Sequence, residues 1–152
     1  MIGHGRPVNN MVPAYIARVK TADIKNRNAY NFLDGQNLWS PDIKKARPLL
    51  YDAIGELSFA YNEYLKKFII IFCSMDGKIK YAGFKDFALI TKTEAKVVYV
   101  PPVLPDISSR PHLYYYSGKE ILHTKHGIYA IYINPAIYQP MLIKIPYSLI
   151  HD

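Results

Sequence analysis

Apolar and polar positions along the middle of the chain follow a period of two. Residues 56–62 (Glu-Leu-Ser-Phe-Ala-Tyr-Asn) alternate large apolar side chains with small or polar ones, the pattern of a half-buried strand. Residues 63–67 form a turn, and 68–74 is a continuous apolar run. Met75-Asp76-Gly77-Lys78 is a tight turn into a further strand over 79–84. Strands over 54–62, 68–74 and 79–84 therefore make a meander, with a fourth, outer strand over 96–100. Its central strand is apolar on both faces, as a strand packed between neighbouring sheets should be. About sixty residues further on the pattern returns, in strands over 114–122, 128–134 and 139–145 with a turn through His126-Gly127. Recurring strand-turn-strand units with proline- or glycine-rich crossings predict blades of a β-propeller.

The flanking segments fit the same plan less clearly. Residues 1–11 are rich in Gly and Asn and predict a loop; 12–19 predicts a strand with Tyr15 and Arg18 on opposite faces. A polar, turn-like stretch over 21–28 leads to a short strand over 29–33, closed by Asp34-Gly35. Trp39 opens another loop, with a single helical turn possible at 42–47. Residues 86–90 are ambiguous, and 103–111 is a proline-rich connection in which helix is disfavoured. The chain of 152 residues predicts a single all-β domain of about three units, roughly 1–50, 51–102 and 103–152. Each is an antiparallel four-stranded meander of a partial propeller. A β-sandwich and an open barrel are the alternatives.

Composition sharpens this picture. Half of the residues are apolar, enough for a core, and eleven prolines with eight glycines favour short strands over long helices. Fourteen tyrosines suit sheets, sugar-stacking surfaces and binding interfaces. The formal charge of +7 comes in pairs of lysines, such as Lys44-Lys45 and Lys66-Lys67, and not as a block, so an anionic partner is allowed but not demanded. A single cysteine excludes an internal disulfide, and Cys73, inside an apolar strand, predicts a buried, inert thiol. No apolar run is long enough for a membrane span. No signal-peptide core precedes the first strand, which predicts a cytoplasmic protein if Met1 is the true start and a secreted one if the chain is a fragment.

Few side chains recommend themselves for chemistry. Glu56 follows Gly55 at the start of an inner strand, where a carboxylate can act as general acid or base or bind sugar hydroxyls. The bland alternative is a strand-end carboxylate paired with a lysine. Glu120 holds the analogous place in the next unit, and two such carboxylates about 5–10 Å apart are what glycoside hydrolysis needs. Lys119 beside it could equally make a plain charged edge. Asp34, Asp42, Asp76 and Asp106 sit in turns or connections and predict local hydrogen bonding. His123 and His126 lie three apart across a predicted hairpin turn, and no cluster has metal-site spacing. His112 could face a channel. In Tyr114-Tyr115-Tyr116, alternation puts Tyr115 opposite the other two, one side for stacking and the other for core. No Walker loop, dinucleotide fingerprint or nucleophile elbow is present, and no cofactor is implied.

Three segments, Gly-Arg-Pro-Val-Asn-Asn-Met-Val-Pro-Ala-Tyr (5–15), Gly-Glu-Leu-Ser-Phe-Ala-Tyr-Asn-Glu-Tyr-Leu-Lys-Lys-Phe (55–68) and Ile-Tyr-Ala-Ile-Tyr-Ile-Asn-Pro (128–135), together carry a resemblance. They resemble the later blades of uncharacterised bacterial five-bladed propellers related to the arabinanase and xylosidase glycoside hydrolases. The resemblance implies a carbohydrate-active propeller that binds or cleaves glycans. Glu56 and Glu120 would be its channel carboxylates, and Arg6, His112, Tyr114 and Tyr116 would line the sugar site. A five-bladed propeller needs about twice this length. The chain is thus expected either to lack N-terminal blades or to be completed by another copy of itself, because a three-blade wedge exposes apolar faces. The alternatives are a non-catalytic protein-interaction module and, third, a basic nucleic-acid binder. The last is disfavoured because the lysines do not interleave with aromatics along one strand.

Overall fold

A computed structural model describes residues 1–6, 12–87, 90, 94–103 and 115–150. The chain falls into two compact units, Met1–Tyr51 and Asp52–Asp152. Among the described residues all regular structure is strand or short 3-10 turn. Among the described residues no helix is long and apolar enough to cross a membrane.

The first unit holds one antiparallel sheet in the order β1 (Ile2–His4), β2 (Ala14–Arg18), β3 (Asn31–Leu33), β4 (Trp39–Ser40). Pro13, Ala14, Ile16, Leu33 and Leu50 are its buried residues among those described. Two of these strands correct the sequence reading. Strand β1 lies where a loop is expected, because its three residues carry no apolar alternation. Pairing supplies the order instead, Ile2 opposite Ile16 and His4 opposite Ala14. Likewise β4 forms where Trp39 suggests a loop, by pairing with β3. The possible helical turn is a 3-10 turn at Ile43–Lys45, capped at its start by Asp42, whose Oδ1 accepts from the Lys44 amide at 3.0 Å. Asp34 does the same for Gln36 and Leu38, at 2.8 and 2.9 Å, so both aspartates are turn formers. Asp106 lies outside the described residues.

The second unit contains two sheets. Strands β5 (Ala53–Asn62), β6 (Lys67–Ser74), β7 (Ile79–Phe84) and β8 (Lys96–Tyr99) make a four-stranded meander in that order. Strands β9 (Tyr116–Thr124), β10 (Gly127–Asn134) and β11 (Gln139–Ile145) make a second meander. This sheet has three strands among the described residues, where four-stranded units are expected. Strand β9 begins at Tyr116, and Tyr114 lies outside the described residues.

Alternation decides how the two sheets meet. Ile69, Ile71, Cys73, Ile79 and Tyr81 from the first pack with Ile128, Ala130, Tyr132, Ile143 and Ile145 from the second in one core. Burial of this kind contributes roughly 1.5–3 kcal/mol for each large apolar side chain. The opposite face of the four-stranded sheet carries stacked rings, Phe59 with Phe68 at 5.6 Å and Phe68 with Phe84 at 5.7 Å between centroids. Burial pushes the Cys73 thiol up to about 12, with a partial offset from a hydrogen bond to the Gly118 backbone, so it is not a nucleophile.

The first strands of the two sheets lie side by side. The Glu56 amide donates to Ser117 Oγ at 3.3 Å, and the Glu120 amide donates to Ser58 Oγ at 2.7 Å. Both bonds step in the same direction, so β5 and β9 run parallel across the seam, as the inner strands of adjacent propeller blades do. Gly118 lets β9 also lie close against β6, because a Cβ there would stand 2.5 Å from the Cys73 nitrogen. The fold class is thus the expected all-β one, built from blade-like antiparallel meanders.

Candidate functional site

The seam between β5 and β9 gathers Glu56, Glu120 and Tyr116, three of the six side chains that the sequence singles out for a site. Both strands are bulged here. Between Ile54 and Ser58, β5 spends four residues against two on β6, and Gly55 takes a left-handed φ of 70°. Between Tyr116 and Lys119, β9 spends three against two on β10, with Ser117 at φ 57°. The two irregularities interlock: a Cβ on Gly55 would meet Ser117 Oγ at 2.8 Å and Tyr116 Cδ2 at 3.3 Å. Bulges re-aim side chains and recur next to active sites.

At this end of the seam the Glu56 carboxylate, 66% exposed, is bound by Lys119 Nζ. The plain reading of Glu56 as a lysine-paired carboxylate thus describes its state here. Such an exposed pair is worth about 0–1 kcal/mol, so it holds the two groups in place without sealing them from a ligand. Tyr116 is hydrogen-bonded to Tyr138; desolvation first, and then that bond and the Tyr138 charge, raise the Tyr116 phenol above its ordinary value. Tyr138 is 80% exposed and left-handed, at φ 52°. Tyr115, next to Tyr116 in the sequence, faces the other way into the core and donates to the Pro102 carbonyl at 2.5 Å.

Further along the seam lies a second, more buried cluster. The Glu120 side chain is 6% exposed, with Oε1 at 2.5 Å from His123 Nδ1. Its Oε2 is buried without a hydrogen-bond partner among the described residues. The edge of the Tyr64 ring meets the His123 ring at 6.1 Å. Asn62, fully buried, accepts from the Tyr64 and Leu65 amides and donates to Tyr147 Oη at 3.2 Å. Tyr147 in turn donates to the Thr124 carbonyl at 2.8 Å. Its phenol is raised by desolvation and, against the Asn62 hydrogen bond, by the charges of Tyr64 and Glu120.

The structure therefore separates the two expected carboxylates by partner: Glu56 goes to Lys119 and Glu120 to His123. It places Tyr116 beside Gly55, next to Glu56. Arg6 is exposed after β1, in the first unit. His112 and Tyr114 lie outside the described residues. Three residues of the seam escaped the sequence reading. The sequence marks Lys119 only as a neighbour of Glu120 and His123 only as half of a turn pair, and it gives no signal at Tyr138. Strict alternation puts residues three apart on opposite faces. Ile121 is an extra residue in β9, since Glu120 pairs with Ala130 and Leu122 with Tyr129, and this bulge returns His123 to the side of Glu120.

Elsewhere, the Asp76 carboxyl is held at about 2. Burial works against its charge, but hydrogen bonds from Lys78 and Ser74 and the charge of Lys80 outweigh that. It belongs to the β6–β7 turn and not to the seam. In the first unit an open cavity of about 560 Å³ is lined by Ile2, Tyr15, Ala17, Tyr30 and Phe32 among others. Among the described residues no group of three or more His, Cys, Asp or Glu could hold a metal ion.

These features define an all-β protein of blade-like meanders with a polar seam between parallel inner strands. Residues 2–148 match the family described as a domain of unknown function, DUF4185, and the chain belongs to that family. No curated protein matches the chain.

Proposed function

We propose that this protein is a carbohydrate-active domain that recognises glycans at the Gly55–Ser117 end of the β5–β9 seam. One observation carries this reading: an exposed carboxylate, Glu56, and an ammonium, Lys119, sit next to the hydrogen-bonded pair Tyr116–Tyr138. Vicinal hydroxyls of a sugar can donate to the carboxylate and accept from the ammonium, while an exposed phenol ring offers an apolar face with a wet edge. The finer reading extends the resemblance of residues 55–68 to arabinanase- and xylosidase-type hydrolases. In it Glu56 is the general acid or base of glycoside cleavage.

The test is a titration of oligosaccharides of pentoses and hexoses, with reducing ends assayed in parallel. Binding should weaken at least tenfold in Glu56→Gln and in Lys119→Met. If the wild type also cleaves a glycan, Glu56→Gln should lose most turnover. Wild-type binding that both variants retain would sink the reading.

A second reading has its own support. The face of the β9–β11 sheet turned away from the core presents Tyr129, Ile131, Ile133 and the 63%-exposed Leu142. So apolar a face favours association, and we propose that the protein pairs with a second copy of itself there.

A further inference from the structure

We propose that the cavity of the first unit binds a small aromatic carboxylate, its ring held among Tyr15, Tyr30 and Phe32 and its charge met by Lys44. The site belongs to the unit Met1–Tyr51 and stands independently of the glycan reading. Strand register makes its floor. Gly3 pairs with Tyr15 and Ala17 with Phe32, so these four positions share one face of the sheet. Ala14, Ile16 and Leu33 take the opposite face and are buried. Tyr30, Ile43, Lys44 and Ala46 add the walls. The enclosed volume, about 560 Å³, is that of an ordinary small-molecule site.

The rings are fixed before a ligand arrives. Tyr30 Oη donates to the Ile24 carbonyl at 2.7 Å. The Tyr15 ring leans over Gly5, where a Cβ would run into it. Gly3 behaves in the opposite way: a Cβ there meets nothing within 4 Å, so the floor opens onto empty space beside the rings. A floor of glycine and alanine between aromatic walls admits a flat ring, which gains stacked or edge contacts with each wall. The charge follows from the rim. Among the described lining residues Lys44 is the one lysine or arginine, and none is Asp or Glu. Its ammonium makes no ion pair among the described residues, and the Asp42 carboxylate on the same turn caps the Lys44 amide. The Met1 nitrogen, also at the rim, is engaged by the Ala17 carbonyl at 2.8 Å. The lining thus suits one negative charge above an uncharged ring. A phosphate would call for further donors, such as an arginine fork, that the lining does not hold.

The experiment titrates the full chain with 2-naphthoate, its uncharged amide 2-naphthamide, and octanoate, by calorimetry and by NMR. The wild type should bind one naphthoate per chain, with naphthamide about threefold weaker for want of the ion pair. Octanoate, which lacks the ring, should also bind more weakly. Lys44→Met should lower the affinity for naphthoate to that for naphthamide and leave naphthamide unmoved. Gly3→Leu, which fills the cavity, should weaken naphthoate by about tenfold or more with circular dichroism unchanged. Nuclear Overhauser contacts should join the naphthoate protons to the Tyr15 and Phe32 rings, and they decide the site even where Gly3→Leu fails to fold. No saturable binding by the wild type, or binding without those contacts, would overturn the proposal. So would a folded Gly3→Leu that binds as the wild type does. Octanoate binding as tightly as naphthoate would overturn the aromatic assignment, and an unmoved naphthoate affinity in Lys44→Met would overturn the carboxylate.

Discussion

Tyr138 is the residue whose backbone and side chain want different things. The turns after β5 and after β10 are built alike. Asn62 accepts from the amide two residues on, as Asn134 does from Ala136, and the fourth residue after each is left-handed: Lys66 at φ 54° and Tyr138 at φ 52°. Glycine fills such a position without strain, whereas a bulky side chain costs about 1–2 kcal/mol. An exposed tyrosine kept there at that cost argues for use of its ring. Tyr138→Gly should therefore raise the stability of the fold by about 1 kcal/mol in urea denaturation while weakening glycan binding. Equal loss of both would mean that the ring is structural. Legibility at this scale followed the same divide. Glu56 and Tyr116 could be picked from their place at strand starts, because that depends on local pattern alone. The Glu120–His123 pair could not, because its spacing is right only after the Ile121 bulge, and a bulge is set by the partner strand and leaves no mark on the apolar pattern.

Among the elements, β5, β6, β7, β10 and β11 could be read from the sequence nearly to their ends. Their alternation is strong and their turns carry Asn, Asp or Gly at the positions that need them. The hydrogen bond of Gly77 to the Ser74 carbonyl at 2.8 Å closes one such turn, with Gly77 at φ 76°. By contrast β1 and β4 are short and draw their order from a neighbouring strand, which local pattern does not reveal. The packing of β9 on β6 is a third kind of information, a distance between elements, and it can be tested at Gly118. Any side chain there must displace the backbone of Phe72 and Cys73, whose atoms lie 2.7 and 2.5 Å from the ideal Cβ. Gly118→Ala should cost about 1–3 kcal/mol or more by thermal or urea unfolding. Gly3→Ala, with nothing within 4 Å of its Cβ, serves as the control and should change stability little. Equal effects of the two would mean that β9 does not approach β6 as closely as described.

At the scale of the molecule the question is what the outer face of the β9–β11 sheet meets. Its inner face is satisfied by the shared core. On the outer face Ile131 stands between Leu142 on β11 and Lys119 on β9, and Tyr129 stands between Lys144 and Leu122. A sheet that faced only water would place polar side chains at most of these positions. The +7 charge opposes association at low salt, and screening should relieve that opposition, so pairing through this face should strengthen as salt rises. Light scattering across a concentration series in moderate salt should give about twice the chain mass of 17.5 kDa. Ile131→Lys with Leu142→Lys should return the protein to monomer with its circular dichroism unchanged, since both side chains point away from the core. A wild-type monomer at all concentrations would remove self-association. Dimerisation that the double variant retains would move the contact to another surface. Weakening with salt would instead point to a contact made by charges and not by this face.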